Sequence, residues 1–588
     1  MEYGRLGKAE PGSASTRIQS LDPTTPKPKI TKFRLLLIAV AALILASAIF
    51  TAVALVEKNK TNSSQHNRRP SQAMSRTCSR TLHPSLCLNS LLDFPGALTA
   101  DDKELVHISL NLTLQKVGRS LYVASEITNL DMDPHVRSAY EDCLELLDHS
   151  VDLLSRSLTY VAPSGDPAES TQDVLTWLSA ALTNHDTCVE GFDELSGDIK
   201  DKMSDRLKDL SELASNSLAI YAAAGSDYDF SEITKHNRRR RLLRDEKERE
   251  HFPVWLSRGE RMLLDMPASE ITADIIVSKD GNGTLKTIAE AIKKAPEHSS
   301  RRFIIYVRAG RYEEANLKVG KKKTNIMFIG DGKGKTVITG GKSVQDKLTT
   351  FRTASFAATG AGFIARDITF ENYAGASKHQ AVALRVDSDH GVFHRCSIIG
   401  YQDTLYTHSQ RQFYRDCDIY GTVDFIFGNA AVVFQNCNIH ARKPMPQQKN
   451  TITAQNRKDP NQVTGISIHD CKIVADPDLE ASKGQFPTYL GRPWKLYSRT
   501  VYMLSSLGDH IHPHGWLEWN GDFALDTLYY GEYMNFGPGA GLGQRVKWPG
   551  YHVITSADEA SKFTVAKFIF GSSWLPSTGV AFVAGLST

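Results

Sequence analysis

The sequence predicts two folds in series, an all-α four-helix bundle over residues 75–228 and an all-β parallel solenoid over residues 252–588, with a hydrophobic signal-anchor helix ahead of both. Three observations carry this. A polar-pair motif closed by isoleucine recurs in FIARDI (363–368), FHRCSI (393–398), FYRDCDI (413–419), FQNCNI (434–439) and ISIHDCKI (466–473). Leu, Val and Ala recur at three- and four-residue steps in SAYEDCLELLDHSVDLLSRSL (138–158) and TQDVLTWLSAALTNHDTCVEGF (171–192). Residues 35–56 run for 22 positions without a charge. A chain of 588 residues, 41% hydrophobic and 23% charged, has room for two or more globular domains and their tails.

The N-terminal segment reads as targeting. Lys27, Lys29, Lys32 and Arg34 close a basic leader over 1–34, and the apolar run behind them is long enough to span a bilayer with its N-terminus cytosolic. A cleaved signal peptide has a shorter apolar core nearer the start, so the length of the leader favours an uncleaved anchor. Residues 57–74 are then a linker, and everything beyond the anchor enters the secretory pathway as a membrane-held precursor. Sequons at Asn62, Asn111 and Asn282 agree with that route.

The helical segment is acidic, with 11 Lys+Arg against 25 Asp+Glu over 75–228, or −14. Pro163, Ser164, Gly165, Asp166 and Pro167 break its two longest periodic runs, and a small bundle preceded by a helical hairpin accommodates the pattern. His185 beside Asp186 is either a catalytic dyad or an ordinary polar helix end, the commoner case. Of the eight cysteines, Cys78, Cys87, Cys143 and Cys188 lie here, and Cys396, Cys417, Cys437 and Cys471 lie in the solenoid. No ligand cluster at metal spacing accompanies them, so disulfides are expected, paired in sequence order, and no metal or other cofactor.

Between the two folds lies a charged linker, 229–251, containing HNRRRRLLRDEKERE (236–250). Arg240 and Arg241 followed by Leu242 and Leu243 resemble a basic site for subtilisin-like secretory proteases; a solvated charged face is the competing reading. Cleavage here would separate a pro-region from the solenoid.

The solenoid segment carries 39 Lys+Arg against 31 Asp+Glu over 251–588, or +8. Residues 1–74 and 229–250 add +7 and +2, which restores the total of +3 and suggests no nucleic-acid partner. The acidic and basic parts are either electrostatic partners within one chain or separately solubilised. The closing isoleucines Ile368, Ile398, Ile419, Ile439 and Ile473 stand 30, 21, 20 and 34 residues apart, a step that suits one solenoid coil. Asp403 of YQDTLY (401–406) and Asp424 of GTVDFIFGN (421–429) are 21 apart, so they fall on neighbouring rungs of one face, about 4.8 Å apart along the axis. A carboxylate among Val423, Phe425, Ile426 and Phe427 must be paired or used.

Taken together, residues 252–588 resemble a plant pectin methylesterase, through GRYEE (310–314), QAVALR (380–385), YQDTLY, GTVDFIFGN and LGRPW (490–494) in that order. The acidic part, with ALTNHDTCVEGF (181–192), is similar to pectin methylesterase inhibitors. The resemblance implies a right-handed parallel β-helix that removes the C6 methyl ester of homogalacturonan in the plant cell wall or apoplast, releasing methanol. It implies Asp424 as nucleophile, Asp403 as general acid and then base, Gln402 and Gln380 as oxyanion donors, and Arg492 as the residue that keeps Asp424 ionised. Thr349 and Trp494 match substrate-contacting positions. The expected partners are methylesterified pectin, the chain's own pro-region or separate inhibitor proteins, and the processing protease.

The residue types suit such chemistry. Two close carboxylates do not both ionise cheaply, so one stays protonated while an arginine holds the other anionic. Amide donors suit a developing oxyanion. Trp494 either stacks a sugar ring or packs in the core, as do Trp516 and Trp519. A glycosidase built on the carboxylate pair and a calcium-dependent lyase are the rival enzymes, the first disfavoured by the glutamines and Arg492, the second by the lack of a carboxylate-rich site. A silent inhibitor or wall-binding protein is the non-enzymatic rival.

Overall fold

The computed structural model describes residues 69–162, 171–193, 195–224 and 272–586, all within one compact unit spanning 62–588. The apolar run at 35–56, Asn62, and Arg240, Arg241, Leu242 and Leu243 lie outside the described residues. Among the described residues, no helix is long and apolar enough to cross a membrane.

The helical part begins with the hairpin Gln72–Cys78 and Pro84–Leu92, closed by a Cys78–Cys87 disulfide. Four helices then pack in a ring: Asp102–Ser125, Pro134–Tyr160, Thr171–Glu190 and Leu210–Ala224. Their starts follow capping rules. Asp101 and Glu104 form a reciprocal capping box, and Asp133 caps a helix whose first residue is Pro134. The short helix Asp198–Leu207 precedes the last one, and the chain turns between them at Asp209 in a left-handed conformation. Trp177, Leu146, Leu147, Leu154 and Leu178 are buried among the helices. Cys143–Cys188 ties Pro134–Tyr160 to Thr171–Glu190, the pair whose outer faces matter below.

The second part is a parallel β-helix of three sheets, with eleven, seven and eight strands among the described residues. Every strand pair within the three sheets is parallel, and each central coil contributes one strand to each sheet and stacks on the coil before it, while the end coils add strands to the eleven-stranded sheet alone. Inside, side chains of like kind stack: the rings of Phe393 and Tyr414 lie 4.9 Å apart and those of Tyr414 and Phe434 4.6 Å apart, both face to face. Ile398, Ile419, Ile439 and Ile473 stand in direct register, as the repeat predicts. The first repeat is two residues out. Phe370, not Ile368, pairs with Ile398, because FIARDITF carries a second apolar residue after its isoleucine. The polar pair of the repeat also has a structural cause. Asp367, Arg395, Asp416, Asn436 and Asp470 all take positive φ, between 51° and 59°, at the corner where one sheet gives way to the next. Aspartate and asparagine tolerate that conformation best among residues with a side chain.

Two expectations need correction here. Cys396, Cys417, Cys437 and Cys471 do not pair as 396–417 and 437–471; they are free and buried, one per rung, immediately after that corner. Their thiols donate to backbone carbonyls, as Cys417 does to Phe393 of the preceding coil at 3.3 Å and Cys471 to His469 of its own coil at 3.3 Å, so the sulfurs are satisfied by backbone. Asn111 is buried on Asp102–Ser125, where its side-chain oxygen accepts from Gln115 at 3.2 Å, so it has no room for a surface glycan. Asn282 is exposed.

Candidate active site

The seven-stranded sheet builds the site. Leu405 pairs with Ile426, so Asp403 and Asp424, each two residues ahead of its paired strand position, sit on successive coils. The Asp403 amide donates to the Val423 carbonyl at 3.1 Å, which locks the two coils together at this point. Both aspartates have left-handed backbone, φ 59° and 50°, and both are buried, at 8% and 5% exposure. Glycines frame the second one. A Cβ on Gly421 would lie 2.2 Å from Cβ of Phe425, and one on Gly428, whose φ is +125°, would lie 2.2 Å from the Thr407 carbonyl oxygen. These close approaches explain the glycines that bracket GTVDFIFGN.

The two carboxyls have different surroundings. Asp424 accepts a two-pronged interaction from Arg492, Nε to Oδ1 at 2.9 Å and Nη2 to Oδ2 at 2.6 Å. The Thr451 hydroxyl donates to the same Oδ1 at 2.6 Å and accepts from the Asp424 amide at 2.9 Å. Asp403 has no hydrogen-bond partner for its carboxyl among the described residues. Burial, and then the charge of Asp424, push it well above the ordinary carboxylate range, against the pull of Arg492. The two acids thus differ in one cleft: burial and a like charge disfavour ionisation of Asp403, while Asp424 has a guanidinium to pair with.

A cavity of about 470 Å³ opens over this pair. Gln380, Gln402, Arg492, Trp494 and Thr349 line it beside Asp403 and Asp424, so the structure brings every predicted catalytic and substrate-contacting residue to one place. The side-chain oxygen of Gln402 is buried without a hydrogen-bond partner among the described residues. Phe351, Tyr406 and Phe427 form an aromatic floor, with Tyr406 and Phe427 stacked at 4.2 Å and Phe427 reaching Trp494 at 6.0 Å. Trp519 lines the cavity with Arg492 over its ring at 4.3 Å, while Trp516 is core, stacked on Tyr530. Sequence reasoning missed Thr451 and, of this floor, Phe351 and Tyr406; of the run Phe425, Ile426 and Phe427 that could supply a dry wall, Phe427 lines the cavity and the other two fill the core. Thr451 heads TITAQN on the coil after Asp424, and its register was the signal available.

The roof of the cavity belongs to the helical part. His135, Asp142, Thr187 and Glu190 all line it. Asp142 accepts from the Thr349 hydroxyl and from Arg352 Nε, the latter at 2.6 Å, and Ser138 accepts from the Thr349 amide at 3.1 Å. Thr187 meets His408, edge-on to Phe351 and Tyr406, at 3.0 Å, and Asn429 donates to Thr183 at 2.9 Å. Ion pairs surround these contacts: Glu145 with Lys318 at 2.7 Å, Lys321 with Asp148 and Asp152 at 2.5 Å each, and Arg411 with Asp173 at 2.6 Å. The acidic and basic parts are thus partners within the chain. His185 and Asp186 lie 3.7 Å apart but serve the contact: the His185 ring meets the Leu207 carbonyl at 3.2 Å and Asp186 pairs with Lys458 at 2.8 Å, so they form a polar helix end.

Comparison with known proteins agrees with this geometry. A family model described as Pectinesterase matches residues 274–572, and one described as Plant invertase/pectin methylesterase inhibitor matches residues 72–220. The chain is 65% identical to "Probable pectinesterase/pectinesterase inhibitor 61" of Arabidopsis thaliana, covering 100% of both chains. It is 64% identical to "Probable pectinesterase/pectinesterase inhibitor 34" of the same plant, covering 93% of this chain and 91% of that one. Among solved structures, "Pectin methylesterase from Carrot" superposes with a TM-score of 0.53 at 58% identity, covering 54% of this chain and 99% of its own. That carrot chain is matched almost whole by little more than half of this one. With the matched family model spanning the β-helix and near-full-length relatives spanning both parts, the chain belongs to the pectinesterase family and carries an inhibitor-family helical domain ahead of its catalytic β-helix.

Proposed function

We propose that the β-helix hydrolyses the C6 methyl ester of homogalacturonan through an aspartyl nucleophile, and that the helical part holds it inactive until the two are separated. The observation that carries the reading is the asymmetry of Asp403 and Asp424 in one cleft, the first buried with no hydrogen-bond partner for its carboxyl among the described residues, the second held by Arg492 and Thr451.

The steps follow from that asymmetry. An Asp424 oxygen attacks the ester carbonyl, and the carbonyl oxygen takes up negative charge within reach of the Gln380 and Gln402 amides. Collapse of the tetrahedral species breaks the bond to the methoxy group, Asp403 gives its proton to the departing methanol, and an anhydride joins the substrate to Asp424. Asp403, now a carboxylate, takes a proton from water as the water attacks the anhydride. The second collapse frees the galacturonate and returns Asp424 to its pairing with Arg492 and Thr451. The aromatic floor and Trp494 offer faces for sugar rings.

The latent state rests on the roof. Asp142 and Ser138 occupy the hydrogen-bonding capacity of Thr349, a substrate-contacting position, and helical residues line the same cavity as both aspartates. Residues 75–228 then act as a pro-region, 229–251 as the processing linker cut beside Arg240 and Arg241, and 252–588 as the mature enzyme of the cell wall. Residues 35–56 anchor the precursor in the secretory membranes. The names of the two Arabidopsis relatives also pair an esterase with an inhibitor.

The test is methanol release from highly esterified pectin by residues 251–588, with and without added residues 75–228. Release that the helical part suppresses is the expected result. Release without suppression removes the inhibitory role, and no release from a folded β-helix removes the esterase.

A further inference from the structure

Next to the catalytic cavity lies a second one of about 420 Å³, bounded by Lys458, Trp494, Lys495, Leu496, Trp519 and Phe523. Trp494, Lys495 and Trp519 line both, so the two cavities are neighbouring stations of one cleft. Two lysines reach this cavity, and the structure gives each a carboxylate from the same helix. Lys458 meets Asp186 at 2.8 Å and Lys495 meets Glu190 at 2.5 Å. Asp186 and Glu190 are four residues apart on Thr171–Glu190, so they lie on one helix face, a turn apart, with about 5–6 Å between Cβ atoms.

That arrangement has the chemistry of a polyuronate. A de-esterified galacturonan presents one carboxylate per ring along an extended chain, and rings stack on indole faces; here two carboxylates in a row meet two lysines beside two tryptophans. We infer that Lys458 and Lys495 form a subsite for ring carboxylates already freed of their esters, and that Asp186 and Glu190 fill it in the latent chain as surrogates for that product. The inference rests on the reading of the site as a pectinesterase. It goes further in giving the enzyme a product-binding flank on one side of Asp424, so that hydrolysis proceeds next to rings already converted, and in making the polymer itself a competitor of the helical part.

The test uses the full chain with an engineered protease site within residues 225–271, nicked so that the two parts remain associated. Unesterified hexagalacturonate and its uncharged C6-amidated counterpart, which releases no methanol, are titrated into the complex, and loss of the helical fragment is followed by size-exclusion chromatography. The acid is expected to displace the fragment at concentrations about tenfold below those the amide needs, as two ion pairs with covered carboxylates and partly exposed lysines allow, and to lose that advantage above about 0.5 M salt. In Lys458→Ala/Lys495→Ala the preference for the acid falls below about twofold, and Lys458→Arg/Lys495→Arg, which keeps the charge, retains it. Equal displacement by both oligomers, or an undiminished preference in the alanine variant, overturns the subsite. Methanol release from esterified pectin is read in the same nicked sample freed of its helical fragment; its absence counts against the esterase alone.

Discussion

The β-helix and the helical part both bury acidic residues at the same cleft, and they hold them by opposite means. Asp424 receives a guanidinium and a hydroxyl from its own domain, so its charge is compensated whether or not the helices are docked. Asp142 finds its partners, Thr349 and Arg352, only across the contact. The first arrangement is permanent and suits a nucleophile that must be ready once uncovered. The second exists only in the latent chain and suits a contact that must come apart, because an acidic helix freed from it is solvated again at little cost.

The strongest way to break this comparison is to remove the permanent charge. Asp424→Asn is expected to reduce methanol release by about 10³-fold or more while leaving the melting temperature and polymer binding near those of the parent. A variant with near-normal turnover ends the assignment of Asp424 as nucleophile. Next in size is Gln402→Ala, which takes away a donor at the oxyanion and is expected to lower kcat by about 10²- to 10³-fold with a small change in KM. An equal loss in KM alone places Gln402 in ground-state binding instead.

The docking acids sharpen the comparison through pH. Burial raises Asp142 to about 6 from an ordinary 3.8, against the pull of Arg352 and Thr349. A carboxyl raised in the docked state binds its proton more tightly there, so its contribution to docking is full below pH 3.8 and is lost as pH rises through 6. Glu145 runs the other way: burial is outweighed by Arg385 and Lys318, and it is lowered to about 2 from 4.5. Its contribution is full above pH 4.5 and lost as pH falls towards 2. Inhibition of residues 251–588 by residues 75–228 is expected to weaken between pH 3.8 and 6 by up to about 3 kcal/mol from Asp142. In Asp142→Asn that decline flattens. An unchanged slope in the variant shows that another group titrates at the contact. The smallest expected effect is that of Trp494→Ala, about a tenfold rise in KM for lost ring stacking; Trp516→Phe, a core change, serves as the contrast and should lower the melting temperature instead.

What could be read in advance follows the same division. A solenoid ties sequence spacing to spatial register, so the 21-residue interval between Asp403 and Asp424 was enough to put them on adjacent coils. Arg492 stands 68 residues beyond Asp424, across two coils and a long excursion, and only the LGRPW motif pointed to it. The repeat failed at Ile368 because apolar residues two apart on one strand face look alike without the pairing partner. The cysteine pairing failed because one cysteine at the same corner of each successive coil brings thiols near one another without requiring a bond. Asp142 was not singled out at all. A three- and four-residue period says which face of Pro134–Tyr160 is apolar, but the polar face carries no mark for the stretch that another domain will cover.

The coil-on-coil placement of Asp403 and Asp424 acts as a ruler. Their separation is set by the hydrogen-bond pitch of a parallel sheet rather than by any connecting loop, so excursions between sheets can lengthen, as the uneven steps of the repeat already do, without moving one acid relative to the other. Surface loops around the cleft are therefore free to diversify what the enzyme grips, while the distance on which its chemistry depends is inherited unchanged from the backbone. An insertion in the turns leaves that distance alone. A single residue added within the paired strand segments turns one acid away from the cleft.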